Sequence, residues 1–200
     1  MIEVERPRAT FYKISMDESN PKALTGVEVD SKGFDASRFN HGEWINNWPE
    51  DITFSYARGE YAEDHLLGGP YWELVSERVR QVFERHKIFG VQFLPVKAIF
   101  KKTGKDVGKY WAMNVFQEVD SLDWVHTIWS TSDINEIKEY PTLSIISEAL
   151  LFDSLHEIDI FRLKIMGRKR ISIFISGRLR ELLEEAQAAS GFLFFPIPAY

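Results

Sequence analysis

The sequence contains no cysteine among its 200 residues. A disulfide framework, a thiolate nucleophile and a cysteine-ligated zinc site are therefore all excluded. No apolar run approaches the ~20 residues that a helix needs to cross a bilayer. Residues 1–7 alternate charged and apolar side chains and lack the apolar segment of a signal peptide. We therefore expect a cytoplasmic protein with no membrane partner.

Basic residues are outnumbered, with 24 lysines and arginines against 30 aspartates and glutamates and a formal net charge of -6. A general nucleic-acid binder needs a basic face that neutralises phosphates, so this balance disfavours a nucleic-acid partner. It permits a basic protein partner. With 44% hydrophobic residues the chain is long enough to bury a core, and we expect a single domain over residues 1–200.

Local catalytic motifs are also missing. The sequence has no phosphate-binding glycine-rich loop, dinucleotide fingerprint, serine nucleophile elbow or His-Glu-x-x-His pair. Its five histidines are scattered, and none has a partner at the spacing of a metal site. We therefore expect no cofactor, no metal and no enzymatic activity, although a site assembled from distant residues needs no local motif.

The sequence contains an internal repeat, with one copy in residues 70–100 and the other in residues 170–200. The two copies have identical residues at seven positions in the same order, with one residue added in the second copy. In the first copy these are Ser76, Arg78, Arg80, Glu84, Gly90, Phe93 and Pro95. In the second they are Ser176, Arg178, Arg180, Glu184, Gly191, Phe194 and Pro196.

Each copy predicts a strand, an amphipathic helix and a second strand. The serine is a suitable N-cap, apolar residues follow at i, i+3 and i+4 spacing, and the glycine ends the helix. Between the copies, residues 96–100 and 110–119 predict a hairpin around a lysine-rich loop. The expected fold class is α+β, a mixed sheet built around two repeated strand-helix-strand units with hairpins between them.

Outside the copies the sequence predicts less regular structure. Residues 1–69 are expected to be a largely irregular N-terminal segment, with strands only over residues 10–14 and 52–56. A short helix is predicted between Asp133 and Tyr140.

The paired arginines near the two helix starts have two interpretations. Backbone N–H groups at a helix N-terminus favour negative charge, so Arg78 and Arg178 are candidates for an anion site. Solvated arginines that pair with glutamates of the same helix are the interpretation that we favour.

Aromatic and acidic residues of the N-terminal segment are the candidate partner-binding residues. An amphipathic aromatic ring with acidic neighbours suits a surface that binds a basic protein. The same rings are also suited to covering a sheet. The candidates are Trp44, Trp48, Glu43, Glu60, Glu63 and Asp64.

The two copies and the segments after the first resemble immunity protein family eleven, a bacterial family from polymorphic toxin systems. The similarity lies in Leu74–Arg78, Gly90–Val96, Met113–Val115, Val119–Asp120, Ile160–Lys164, Phe174–Ser176, Gly191–Phe192 and Phe194–Ile197. Gly177 departs from the family pattern, which usually has an acidic residue there. Before residue 70 the resemblance is confined to residues 40–43 and 48–49.

The resemblance implies a small cytoplasmic antidote that binds a cognate toxin protein, blocks it stoichiometrically and has no catalysis of its own. Two alternatives stay open at this point. One is a small-ligand-binding protein or enzyme with a site between the repeat units. The other is a scaffolding module that self-associates through its tryptophan-rich segment.

Overall fold

The computed structural model describes residues 6–69, 71–131, 143–165 and 168–200. Within these residues, thirteen strands and two α-helices form a mostly β structure, which confirms the predicted α+β class. The helix predicted between Asp133 and Tyr140 lies outside the described residues.

In chain order, one helix lies between the fifth and sixth strands and the other between the twelfth and thirteenth. The strands are β1 (Ala9–Met16), β2 (Thr25–Asp30), β3 (Thr53–Arg58), β4 (His65–Leu67), β5 (Glu73–Ser76), β6 (Val91–Phe100), β7 (Asp106–Val115), β8 (Glu118–Val119), β9 (Ile128–Thr131), β10 (Leu143–Ser147), β11 (Ile160–Ile165), β12 (Arg168–Ser176) and β13 (Phe192–Ala199). The helices are α1 (Glu77–Arg85) and α2 (Gly177–Glu185). Short 3-10 helices cover Ala36–His41 and Phe152–Ser154.

A six-stranded sheet has the order β2-β3-β6-β7-β5-β4, in which β3 and β6 are parallel and the other pairs antiparallel. Its long β6–β7 hairpin is the one that the sequence predicted around the lysine-rich loop. One face of this sheet is covered by an aromatic cluster from the chain between β2 and β5. The rings of this cluster are those of Phe34, Phe39, Trp48 and Trp72.

A five-stranded sheet has the order β13-β1-β12-β11-β8. The N-terminal strand β1 lies inside this sheet and pairs with β13 along its whole length. The first and the last strand are therefore hydrogen-bonded to one another. Leu150 and Leu155, from the segment between β10 and β11, pack on one face of the sheet. Strands β9 and β10 form a separate two-stranded sheet.

Helices α1 and α2 share one apolar core with both large sheets. Val79 and Phe83 of α1 and Leu179 and Leu183 of α2 are buried in it, because apolar residues at i and i+4 lie on one helix face. The Ser76 and Ser176 hydroxyls accept from the backbone N–H of the residue three positions on, at 3.4 and 3.0 Å, as N-caps do. The predicted N-caps and buried helix faces are therefore present in the structure. The prediction that glycines end the helices was wrong, because α1 ends at Arg85 and α2 at Glu185, and the left-handed residues that follow them are Lys87 and Gln187.

The N-terminal segment is more regular than its composition indicated. Residues 6–69 contain β1, β2, β3 and β4, although the stretch between β2 and β3 remains irregular apart from its 3-10 helix. Strand β2 was missed because the alternation of its valines with Glu28 and Asp30 spans only four residues, and as an edge strand it buries none of its side chains fully. Strand β4 has only three residues, too few for a period to show.

A glutamate at the start of α1 makes stability depend on pH. Glu77 accepts from Arg80 Nε (2.9 Å) and from Trp111 Nε1 (2.7 Å). These hydrogen bonds, that from Arg80 first, lower the pKa of the Glu77 carboxyl to about 2. Because the folded pKa lies below the unfolded value, the contribution is present above about pH 4.5 and is lost as pH falls towards about 2.

We expect Glu77→Gln to lower the free energy of unfolding at pH 7 by about 2 kcal/mol, with the difference from the parent protein closing between pH 4.5 and 2. Urea unfolding across this pH range measures it. Glu84→Gln removes a carboxylate that also pairs with Arg80 but is more than half exposed, so it is the matched control, expected to cost under about 0.5 kcal/mol. A pH-independent difference for Glu77→Gln would contradict the assignment.

Candidate functional site

Glu43 and Trp44 lie together on the surface, just after the 3-10 helix Ala36–His41. The Trp44 side chain is exposed and its ring meets Phe116 edge-on, with the ring centroids 5.2 Å apart. The Glu43 carboxylate pairs with Arg38 at 2.9 Å. Asn114 Nδ2 donates to the Glu43 carbonyl oxygen at 2.8 Å, which ties this backbone to β7. The tryptophan is therefore presented from a fixed base.

Trp48 has a different role from Trp44. Its ring lies 4.9 Å from that of Phe34, and its Nε1 donates to the Pro95 carbonyl oxygen at 2.8 Å. It is half-buried and covers the six-stranded sheet, which is the role given above as the alternative to partner binding for these aromatic residues. With Pro49 and Pro95 it also lines a surface groove of about 340 Å³.

Glu60 and Glu63 lie in the connection between β3 and β4. The Glu60 N–H donates to the Lys22 carbonyl oxygen at 2.8 Å, and the Glu63 carboxylate accepts from Asn20 Nδ2 at 2.8 Å. Both are held against the β1–β2 connection, whereas Glu43 and Trp44 are held against β7. The candidate residues thus divide into separate groups.

Asp64 lies inside the protein, with no exposed side-chain surface. Its carboxylate accepts from Ser76 Oγ (2.6 Å), from Arg78 Nε and Nη2 (3.0 and 3.1 Å), and from Ser190 Oγ and N (2.6 and 3.3 Å). Ser190 belongs to the loop between α2 and β13, so one carboxylate joins the cap of α1 to the other sheet. Asp64 is thus a structural junction that a partner cannot reach.

Asp159 stands in a similar relation to α2. It accepts from Ser176 Oγ at 2.6 Å and pairs with Arg178. The first arginine of each helix therefore pairs with an aspartate outside the helix, and not with a glutamate inside it. The second arginine follows the favoured interpretation, since Arg80 pairs with Glu84 and Arg180 with Glu184. No local signal in the sequence marked the aspartates, because each lies 12 or more residues before its serine.

A cleft of about 320 Å³ between β1, β4 and β12 contains a histidine–carboxylate pair. His65 Nε2 lies 2.7 Å from Glu73 Oε2, and the His65 ring stacks on Phe192 with centroids 4.4 Å apart. Burial raises the pKa of Glu73, but the hydrogen bond from His65 and the charges of His65 and Arg162 outweigh it, so the pKa lies below its usual value. The His65 ring is only 2% exposed, whereas Glu73 is partly exposed at the wall of the cleft.

A second tryptophan, Trp124, is presented on a turn that begins at Asp123. The Asp123 carboxylate accepts from the backbone N–H groups of Val125 (2.8 Å) and His126 (3.1 Å). The His126 ring stacks on Tyr200 at 3.9 Å. Trp124 and Val125 are exposed at the tip of this turn, so they form a second apolar surface.

The described parts of the chain contain neither a metal-binding cluster nor a membrane-spanning helix. In residues 6–69, 71–131, 143–165 and 168–200, no group of three or more histidine or carboxylate side chains is placed to hold a metal ion. Among the same residues, neither helix has the length and apolar character needed to span a bilayer.

Comparison with known proteins places the chain in a family. No curated protein matched the sequence. The immunity protein family (Imm11) matches residues 10–198, which include both helices and all thirteen described strands except the first residue of β1 and the last of β13. The match thus covers the two large sheets and the segments between them. The chain belongs to the Imm11 immunity protein family.

Proposed function

We propose that this chain is a cytoplasmic, non-catalytic immunity protein that binds a cognate bacterial toxin and neutralises it, protecting the producing cell and its kin. The observation that carries the proposal is the match to the immunity protein family over residues 10–198. The acidic composition is consistent with a protein that acts by binding a basic partner.

The surface that we assign to the toxin is an aromatic surface formed by Trp44, Phe116 and Phe89. Phe89 is 83% exposed, and the carbonyl oxygen of the next residue, Gly90, accepts from the Phe116 N–H at 2.9 Å. The Trp44 and Phe116 rings are thus in contact, and the backbone of Phe89 is next to that of Phe116 on the loops at one end of the β6–β7 hairpin. Glu43 adds an acidic group beside Trp44. Exposed aromatic residues on a fixed backbone lose little entropy on binding, which is why they dominate interface energetics.

We also propose that the two strand-helix-strand segments are equivalent units. In the six-stranded sheet β5 and β6 lie on either side of β7, and in the five-stranded sheet β12 and β13 lie on either side of β1. The guanidinium of Arg80 lies 4.6 Å from the Trp111 ring, and that of Arg180 lies 4.6 Å from the Tyr12 ring. Strand β1 thus has the same position between β12 and β13 as β7 has between β5 and β6.

The alternative of a ligand site between these units finds little support where the helices meet. The space between α1 and α2 is a void of only about 10 Å³, lined by apolar side chains such as Phe83, Met113 and Leu183. That is about the size of a single water molecule and has no polar partner for one.

Co-expression with the product of the adjacent open reading frame tests the proposed function. We expect a stable complex that survives purification and a rescue of growth from the toxin. A failure to form the complex, together with a failure to rescue growth, would overturn the proposal. The mass of the free protein in size-exclusion chromatography separates this function from a scaffolding role, which predicts self-association.

Replacing Trp44 by alanine tests the assigned surface. We expect toxin affinity to fall by about 100-fold, the usual cost of losing an interface tryptophan, while the free energy of unfolding changes by less than about 1 kcal/mol. Trp124→Ala removes another exposed tryptophan and is the matched control. If Trp124→Ala weakens binding and Trp44→Ala does not, the toxin binds at the Asp123–His126 turn and the assigned surface is wrong.

A further inference from the structure

Asp64 and Asp159 have the same bonds to their helices but differ in what else they contact. Asp64 is fully buried and receives two further hydrogen bonds from Ser190. The Asp159 side chain is 17% exposed, and its described hydrogen bonds come from Ser176 and Arg178 alone. A carboxylate has about four lone-pair sites, so Asp159 retains capacity for a further donor.

Asp159 lines a pocket of about 400 Å³ at the start of α2, to which we refer as the Asp159 pocket. Glu181, one turn into the helix, contributes a second carboxylate to its lining, and Arg178 contributes the guanidinium that already pairs with Asp159. His156 and Tyr12 are the other titratable groups that line it. With the histidine neutral, the lining carries two negative charges and one positive charge.

The walls of the Asp159 pocket are apolar where they lie away from these charges. They are formed by Phe11, Phe152, Leu155 and Ile158. Apolar walls that end at carboxylates suit a side chain with an aliphatic stem and a cationic end, because lysine and arginine bury the stem and keep the charge at a polar group. An aspartate or glutamate side chain would meet two like charges there.

The opening of the pocket depends on Gly177. At the corresponding first position of α1, Glu77 reaches Arg80 and Trp111 and covers the start of the helix. Gly177 has no side chain to do this, and a Cβ built on it would meet the Thr10 carbonyl oxygen only at 3.4 Å. The difference between the two copies at this position thus coincides with the lining of the pocket.

We propose that the Asp159 pocket receives a lysine or arginine side chain of the toxin, whose cationic end bonds to Asp159 and Glu181. The identity of the donor molecule rests on the proposed immunity function, whereas the pocket's preference for a cationic side chain does not. This contact adds a charged anchor to the aromatic surface assigned above.

NMR titration of the isotope-labelled protein with N-acetyl-arginine amide and N-acetyl-lysine amide tests the preference. We expect the backbone resonances of residues 176–178 to shift with a dissociation constant in the millimolar range. N-acetyl-norleucine amide, which has a similar stem but no charge, is expected to give no saturable shift. Equal binding of the neutral probe, or no binding of either cationic probe, would overturn the proposal.

Two variants locate the contact without removing the bonds of Asp159 to its helix. Glu181→Gln is expected to weaken binding of the arginine probe by about fivefold to tenfold, and Gly177→Gln, which fills the entrance without adding charge, to abolish it. Retained binding in both variants would overturn the assigned pocket. If both lose the probe but keep full toxin affinity, the toxin as donor is overturned, while the immunity function, measured by growth rescue, stands.

Discussion

Replacing Asp64 by alanine is expected to lower the free energy of unfolding by about 3 kcal/mol, more than most single substitutions cost. The guanidinium of Arg78 is more than half exposed, so water can replace its lost partner. The Ser76 hydroxyl is buried and has no such replacement, which costs roughly 1–3 kcal/mol, and the hydrogen bonds to the exposed Ser190 are lost as well. The loss therefore arises at the junction between the cap of α1 and the loop before β13.

The matched control for this variant is Asp159→Ala. Asp159 makes the same two helix contacts but borders the open Asp159 pocket, so we expect a cost of only about 1 kcal/mol. Urea unfolding of both variants, followed by circular dichroism, gives the comparison. Equal costs for the two substitutions would show that the contacts of Asp64 with Ser190 contribute nothing.

Replacing Gly191 by alanine is expected to cost at least about 3 kcal/mol, because two effects add. The backbone of Gly191 has a φ of +79°, where a side chain is strained by about 1–2 kcal/mol. A Cβ at this position would also clash with the carbonyl oxygen of His65 and touch the Glu63 side chain. Backbone cannot move aside as a flexible side chain can, so the two sheets would have to separate locally.

Gly104→Ala separates the strain from the clash. Gly104 has a φ of +65° in the β6–β7 turn, but no atom lies within 4 Å of the position that a Cβ would take there. We expect a cost of about 1 kcal/mol, from backbone strain alone. Thermal or urea unfolding measures both variants, and a cost for Gly191→Ala no larger than that for Gly104→Ala would contradict the close approach.

The helices could be predicted from the sequence because their signals are local. An N-cap serine and apolar residues at i and i+4 lie within one short window at the start of each helix. The β6–β7 hairpin was predictable for the same reason. Strand β1 was also identified, but its place between β12 and β13 depends on pairing across most of the chain, which periodicity cannot indicate.

The candidate site could be predicted only in part. Trp44 and Trp48 are both tryptophans in a segment without regular period, and only tertiary packing decides that one is exposed while the other covers a sheet. The sequence does not distinguish Asp64 from the acidic residues near it, because its hydrogen bond with Ser190 joins residues that are 126 positions apart. The Asp159 pocket, likewise, is formed by β1, α2 and the segment before β11, which are distant in sequence.

Titration of the purified toxin with this protein tests the proposed immunity function most directly. We expect saturable binding at a fixed stoichiometry, with the toxin's activity falling in proportion to the complex formed. We also expect Trp44→Ala to weaken both binding and inhibition to the same extent, since inhibition follows from occupancy. Toxin activity that stays unchanged at saturating concentrations of the parent protein would contradict the immunity function.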